Sequence, residues 1–574
     1  MTKIFNDPKN FGSESLHGLA NAYSNYLQVV HGGAVRSTAS PDGQVSIVAG
    51  GGVGHYPAFT GWIGTGMAHG AVCGNIFSSP AANQVESVVK AADNGGGTIL
   101  IFGNYAGDVL HFGAARDKLQ SEGMDVRIVV VSDDIASNTA ENHNDRRGIA
   151  GDFYVTKIAG AAAHTGASID EVERLARKAN DHIRTLGVAF TGCTFPGADE
   201  PLFTVPEGEF ALGLGIHGEP GISVHPMLSA DELGALLTKR ILVEEPTRSS
   251  TGYQGRVAVL VNGLGATKYE EMFVLFNSIK KELHEAQLEI ANVIVGEQVT
   301  SLDMAGVSLS LMFLDSELEN LLEAPADTPA YKSGNIEQST RRRVVKNTVE
   351  KETPVPGSTE SAEQALRILQ LFESLRVTIS DNLDYLGKLD SIAGDGDHGQ
   401  QMLYGIEGAL SAAMPYAKVK AGSASLARAL GRGWTEGAGG TSGAAWGTAI
   451  CAFAERLSDE HALSAADISN AAVNGVRAFR TVGKVRVGDK TMIDATEPFA
   501  DELDRAIQNG EVLSKAWDQS AKIAMTQAEK TADLVARKGR ARTHGDASLG
   551  HPDPGAISFA LLMNKVAEEL RLTE

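Results

Sequence analysis

Two spacings of apolar residues run through the chain, and one gives way to the other near residue 325. Before that point, short unbroken apolar runs alternate with helical patterns. Val45–Ala49, Thr98–Phe102 and Val126–Val131 are predicted as buried strands, with helices over Ala81–Ala92 and Val109–Leu119 between them. Unbroken runs suit strands covered on both faces, so the pattern predicts an α/β layer with parallel strands. Glycines fall at the strand ends: Gly50–Gly52 and Gly54 after the first, Gly103 and Gly107 after the second. In open α/β sheets, such ends are where ligands bind. From about Glu209 a second set of runs begins, with Phe210–Gly215, Arg256–Val261 and Ala291–Val295 as predicted strands. The expectation is one α/β domain over residues 1–325, in lobes of about 1–185 and 190–325.

The character then changes. Residues 326–361 read as a linker, with Pro329, Pro354, Pro356 and the basic run Arg341–Arg343. Beyond it, Glu363–Leu383 has apolar residues at helical spacing. Alanine-rich periodic stretches follow at Ala424–Leu430, Ala444–Arg456, Ala465–Thr481 and Leu513–Val535. Residues 362–574 are therefore predicted to be all-α.

Composition narrows the partners. The chain has 574 residues, too many for one ordinary core, which agrees with a multi-domain protein. A formal charge of −21 leaves no basic surplus for nucleic acid or anionic membranes. A phosphorylated ligand would have to be met by cations and backbone N–H groups. The three cysteines, Cys73, Cys193 and Cys451, are far apart and form no C-x-x-C pair. They predict reduced thiols and a cytoplasmic protein. No apolar leader and no apolar run long enough to span a bilayer is visible, so no membrane association is expected.

Candidate chemistry concentrates in a few glycine-punctuated segments. Leu389–Gly399 reads LDSIAGDGDHG and packs Asp390, Asp395 and Asp397 into one short stretch. Two carboxylates about 4 Å apart repel by roughly 4 kcal/mol at an effective dielectric near 20. Three on a tight loop therefore need a cation, or else splay into solvent as an ordinary acidic turn. Glycines that let the backbone fold the side chains together favour the cation. An EF-hand is excluded, because Ile406 falls where its closing glutamate is required. Since magnesium usually takes only one or two carboxylates plus phosphate oxygens, three suggest two ions on a polyphosphate. Gly437–Gly443 precedes a predicted helix and can offer N–H groups and hydroxyls to phosphate. His551–Ala556, reading HPDPGA, has the stiffness of a shaped loop. No P-loop signature occurs. In the first domain, His55, Asp108 and His217 each follow a glycine-rich strand end. A lone histidine is more often structural, but together the three resemble an acid, base and nucleophile set.

Several motifs in one order make the chain resemble a single-chain, ATP-dependent dihydroxyacetone kinase over nearly its whole length. AGGGVGH, GNIFSSP, NYAGD, RRGIAG and GIHGEPG are similar to that family's sugar-binding domain. LDSIAGDGDHG, GGTSGAAWG, GDKTMIDATEP and GHPDPGA are similar to its nucleotide-binding domain. The resemblance implies an α/β sugar domain followed by a helical-barrel nucleotide domain. It implies ATP and two Mg2+ ions as cofactors, the metal on Asp390, Asp395 and Asp397. For ATP it implies His398, Gly440, Thr441, Ser442, Thr491, Met492, Asp553 and Gly555. For a short ketose it implies Gly52, Gly54, His55, Asn104, Asp108 and His217. His217 is then expected to form a covalent hemiaminal, with acid/base roles for His55 and Asp108, in a homodimer. Two departures stand out. The usual GHEPAH loop reads His55-Tyr-Pro-Ala-Phe59, and Gly103 stands where a lysine is usual. Lost polar groups, and space gained at Gly103, shift the expected substrate from dihydroxyacetone toward a four-carbon ketose such as erythrulose. The alternatives are cleavage of FAD to AMP and a cyclic phosphate by the nucleotide domain, or a non-catalytic ketose sensor.

Overall fold

The computed structural model describes residues 2–219, 221–336, 343, 353–482, 485–538 and 548–573. The chain divides into two compact units, Met1–Glu350 and Lys351–Glu574. The first is α/β and the second is helical.

Two six-stranded sheets organise the first unit. One holds β1 (Leu27–Val30), β2 (Gly33–Arg36), β3 (Ser46–Val53), β4 (Gly70–Ile76), β5 (Thr98–Gly103) and β6 (Val126–Val131), in the order β1-β2-β4-β3-β5-β6. The runs β4, β3, β5 and β6 are parallel, as the unbroken apolar pattern predicts. β3 is longer than expected: Gly50–Gly52 lie inside it. They belong there because β4 runs so close that a Cβ on Gly50 would lie 2.8 Å from Val72 Cβ.

The second sheet holds β7 (Ile183–Ala189), β8 (Glu209–Leu212), β9 (Ser223–Pro226), β10 (Arg256–Gly263), β11 (Glu289–Gly296) and β12 (Gly306–Leu314), in the order β11-β10-β12-β7-β8-β9. Only β10 and β11 are parallel; the other pairs are antiparallel. β8 ends at Leu212, short of the predicted Gly215, because Gly213 adopts φ +78° and turns the chain toward His217.

A buried charge cluster ties the two sheets together. Arg146, 1% exposed, follows β6 and reaches Glu244 through two hydrogen bonds of 2.6 and 2.8 Å. Arg184 on β7 bonds the same carboxylate at 3.0 Å. Arg146→Met breaks two charge-assisted hydrogen bonds and leaves the partly buried Glu244 with Arg184 alone, so it should cost about 2 kcal/mol of stability. A lowered denaturant midpoint for the first unit would show it.

In the second unit nine helices are present among the described residues, from Thr359–Asp381 to Pro554–Thr573. From His398–Lys418 onward, consecutive helices pack on one another, and the last packs on the first, closing a barrel. Ser374 Oγ donates to Glu569 Oε1 at 2.6 Å across that closure. One apolar core fills the ring, with Trp434 and Trp446 stacked at 5.2 Å between centroids. Between Ala438 and Gly440 only Gly439 is non-helical. The glycine-rich stretch expected as a loop is thus mostly helix. The Arg341–Arg343 run of the expected linker lies outside the described residues except for Arg343. That side chain bonds the carbonyls of Ala91 and Asp93 at 2.9 and 3.2 Å. Among the described residues no helix is long and apolar enough to cross a membrane.

Candidate active site

In the first unit, His55 follows β3 and His217 follows β8, and the fold brings their rings to 4.8 Å between centroids. Phe77 stacks on His55 at 4.9 Å. Tyr105 meets His217 edge to face at 4.4 Å. Asp108 lies in the first turn of the helix Ala106–Ser121, not on a strand-end loop as expected. That turn carries the positive end of the helix dipole, which favours a carboxylate. His55, Asp108 and His217 are 1, 6 and 6% exposed.

Each histidine has its tautomer set by the hydrogen bond on Nδ1. The carbonyl of Thr300 lies 2.8 Å from His55 Nδ1 and can only accept, so that nitrogen carries the proton. His55 Nε2 is buried with no hydrogen-bond partner among the described residues and, with the proton on Nδ1, presents an acceptor. Burial, aided by the neighbouring His217, pushes the His55 imidazole down to about 3 despite opposing pulls from the Thr300 carbonyl and Glu219. His55 is therefore neutral in the working range. Thr300 belongs to the loop after β11. Asn262 on β10 holds that loop, its Oδ1 accepting from the N–H groups of Gln298 and Val299 at 2.8 and 3.0 Å.

His217 pairs with Glu219. Gly218 adopts φ +92°, turning the chain so that Glu219 folds back. Its Oε2 accepts the His217 backbone N–H, and its Oε1 lies 3.3 Å from His217 Nδ1. A proton on Nδ1 leaves Nε2 with the nucleophilic lone pair. Sequence reasoning passed over Glu219, although it lies inside the GIHGEPG motif. The only signal was a carboxylate two residues from a candidate nucleophile.

Other expected residues play narrower parts. Asn104 donates its amide to the carbonyls of Asn144 and Arg146 at 3.0 and 2.8 Å, so what it can offer a ligand is its carbonyl oxygen. Gly52 and Gly54 are shape residues: a Cβ on Gly52 would lie 2.6 Å from the Ser78 nitrogen, and Gly54 has φ +105°. Gly103 does not open space. A Cβ there would lie 3.1 Å from both the Gly148 carbonyl oxygen and the Tyr105 ring. Phe59, where the family pattern has a polar histidine, presents its ring 3.1 Å from a Cβ placed on Gly51, which would be 3.8 Å from Asp108 Oδ1. Phe59 and Asp108 thus both lie against the bare α-carbon of Gly51.

In the second unit, Asp390 ends one short helix and Asp397 precedes the next, with Gly394 and Gly396 between them. A Cβ on Gly394 would lie 2.4 Å from Asp390 Oδ1, so only glycine allows the loop to close. One oxygen of each aspartate lies within 4.8 Å of the others. Asp395 and Asp397 are 3 and 4% exposed. Such crowded, buried carboxylates fit divalent cations bound through oxygen. The Asp390 Oδ2 also accepts the His398 N–H at 3.3 Å, and His398 Nε2 bonds Ser558 Oγ at 2.9 Å. This links the acidic loop to the last helix. Asp553 caps that helix, accepting the Ala556 N–H at 2.7 Å. Burial pushes its carboxyl up to about 7 against that hydrogen bond, with Asp494 and Asp390 adding to the rise. Met492 packs 3.5 Å from a Cβ placed on Gly555, and Thr491 donates its N–H to Asp494 at 2.8 Å. His398, Thr491, Met492, Asp553 and Gly555 thus gather around the triad. Gly440, Thr441 and Ser442 form the first turn of their own helix.

Comparison with known proteins decides the family. The Dak1 domain matches residues 17–330 and the DAK2 domain residues 392–568. The chain belongs to the dihydroxyacetone kinase family. It is 50% identical over 573 residues to an L-erythrulose 1-kinase of Mycolicibacterium smegmatis, covering 99% of this chain and 100% of that one. It is 44% identical over 579 residues to a D-erythrulose kinase of the same organism, covering 100% and 99%. In fold it is similar to the dihydroxyacetone kinase of C. freundii in complex with AMP-PNP and Mg2+, with 28% identity, TM-score 0.53 and 99% of each chain covered. The Dak1 match falls within the first unit and the DAK2 match within the second.

Proposed function

We propose that the protein phosphorylates a terminal hydroxyl of a short ketose from ATP, with L-erythrulose as the preferred substrate. The observation that carries the reading is the His217–Glu219 pair beside a neutral His55. His217 Nε2 adds to the ketone carbon, the carbonyl electron pair moves to oxygen, the ring passes its Nδ1 proton to Glu219, and the oxygen takes up a proton from solvent. The product is a neutral hemiaminal that fixes the sugar. His55 Nε2 then accepts a hydrogen bond from a substrate hydroxyl. Asp108 takes the proton of the terminal hydroxyl as its oxygen attacks the γ-phosphorus and the bond to the β-phosphate oxygen breaks. Asp390, Asp395 and Asp397 would hold two magnesium ions, which neutralise phosphate charge when bound. First-turn N–H groups at Gly440–Ser442 suit a phosphate, and the 492–555 contact suits the nucleotide.

The choice of erythrulose rests on similarity to the erythrulose kinases and on Phe59. Its aromatic ring replaces a polar group of the family pattern beside Gly51 and so changes how the far end of the sugar is held. The test is ATP and magnesium with dihydroxyacetone, glyceraldehyde, D-erythrulose and L-erythrulose, followed by location of the product phosphate. L-Erythrulose should lead in kcat/KM by about tenfold or more, a difference of about 1.4 kcal/mol. Dihydroxyacetone preferred by a wide margin over both erythrulose enantiomers would overturn the substrate assignment. We also propose a homodimeric, cytoplasmic enzyme, checked by light scattering and fractionation. A nucleotide-side FAD-cleaving activity has support from a human triokinase/FMN cyclase, 32% identical over 580 residues. It should survive His217→Ala, whereas ketose phosphorylation should not.

A further inference from the structure

Arg147 stands between two carboxylates, and packing explains its contact with only one of them. Its Nε donates to Asp134 Oδ2 at 3.0 Å, and its Nη2 to the Gly213 carbonyl at 3.1 Å. The remaining Nη1 is buried with no hydrogen-bond partner among the described residues. It borders a notch made by Gly215, where a Cβ would lie 3.0 Å from Arg147 Nη1 and 2.1 Å from Glu219 Oε2. The other oxygen of Glu219 faces His217 Nδ1. Asp134, Arg147, Glu219 and His217 therefore form a line of alternating charge that ends on the imidazole. Tyr105 walls the same place; its hydroxyl is buried without a hydrogen-bond partner among the described residues.

We propose that Arg147 is a positioning residue that acts through Glu219 to keep His217 nucleophilic. The inference rests on the reading of His217 as the group that captures the ketone. Capture requires Nδ1 to be protonated and Nε2 bare, and that requires Glu219 to be a carboxylate before the bond forms. Glu219 is 4% exposed, and burial of that kind favours the neutral acid. A guanidinium stays charged under any physiological condition, so one placed across the notch opposes that tendency. Its pairing with Asp134 fixes the head group and prevents an unbalanced buried cation. Gly215 is required because any side chain would fill the space between Arg147 and Glu219.

The test compares ketose kinetics of the intact protein with those of Arg147→Met, Arg147→Lys, Glu219→Gln, the Arg147→Met/Glu219→Gln double variant and His217→Ala. Arg147→Met should lower kcat/KM for the ketose by about 10- to 100-fold, the range for a lost charge-assisted contact. Its acid limb should move to higher pH, because Glu219 then keeps a proton more readily. Arg147→Lys should recover part of the loss, and the KM for ATP should not change. In the Glu219→Gln background, Arg147→Met should cost about threefold or less, because the route through Glu219 is already cut. Equal losses in both backgrounds with no pH shift would mark a merely structural arginine and overturn the proposal. If Arg147→Met fails to fold, Arg147→Lys measured in both backgrounds decides by the same comparison. A His217→Ala variant with ketose kinetics like those of the intact protein would sink the capture reading itself, a result distinct from loss of coupling at Arg147.

Discussion

Asp395→Ala should reduce ATP-dependent ketose phosphorylation by about a thousandfold or more, the scale for removing a group that stabilises transition-state charge. Asp395 is 3% exposed and shares its loop with two further carboxylates whose oxygens lie within 4.8 Å. Such crowding is unfavourable without a cation. The same variant should therefore be at least as stable as the intact protein in magnesium-free buffer, with a gain of about 1 kcal/mol from relieved repulsion. An ordinary structural aspartate would give the opposite pair of signs, less stability and unchanged chemistry. A coupled ADP-release assay over a magnesium titration, together with a denaturation curve in chelator, reads both. Unchanged activity at every magnesium concentration, or a clear loss of stability in chelator, would count against the metal assignment.

His217→Ala should lower kcat/KM for ketoses by about a hundredfold or more if, as proposed above, His217 is the covalent anchor that holds the reacting hydroxyl in place. The second half of the expectation concerns selection. Glycerol has no carbonyl and cannot form the adduct, so the intact protein should reject it while the variant treats ketose and glycerol more evenly. Competition between erythrulose and glycerol at equal concentration measures this directly. Equal turnover of the two by the intact protein would contradict covalent capture. Glu219→Gln should fall between, because the amide keeps the shape but cannot receive the Nδ1 proton.

Parts of this architecture were legible in the sequence for identifiable reasons. β5 and β6 are parallel strands covered on both faces, so their apolar runs have nearly the length of the strands themselves. β12 went unread although all nine of its residues are buried. Ser308 and Ser310 give it the alternation of a half-exposed strand, yet both hydroxyls are satisfied inside. Ser310 pairs with Thr185 at 2.7 Å and Ser308 with Asn262 at 3.1 Å. The helices His398–Lys418 and Ile493–Gln508 were also missed. Each contains a proline (Pro415 and Pro498) and begins in a motif whose chemistry masks its periodicity. At the site, the family motifs pointed to His55, Asp108, His217 and the acidic triad, and the fold brings the two histidines together and the three aspartates together. Glu219 and Arg147 escaped because their meeting depends on the turn at Gly218 and the bare α-carbon of Gly215, neither of which has a spacing rule. Gly103 failed in the other direction. A small residue suggested room, but the Gly148 carbonyl and Tyr105 already occupy it.

The hydrogen bond from His55 to the Thr300 carbonyl bears on how this protein can be inherited in pieces. His55 and Asp108 come from the first sheet and its helix, whereas Thr300 and His217 come from the second. A fragment ending near residue 185 would keep two of the three polar groups, but with no nucleophile and nothing to fix the proton on His55. The first unit is thus chemically indivisible despite its two sheets. The helical unit is a closed ring around its own core and contains its whole acidic triad. It therefore keeps its core and its triad within one compact unit, whereas the His55–Thr300 bond spans both sheets of the first.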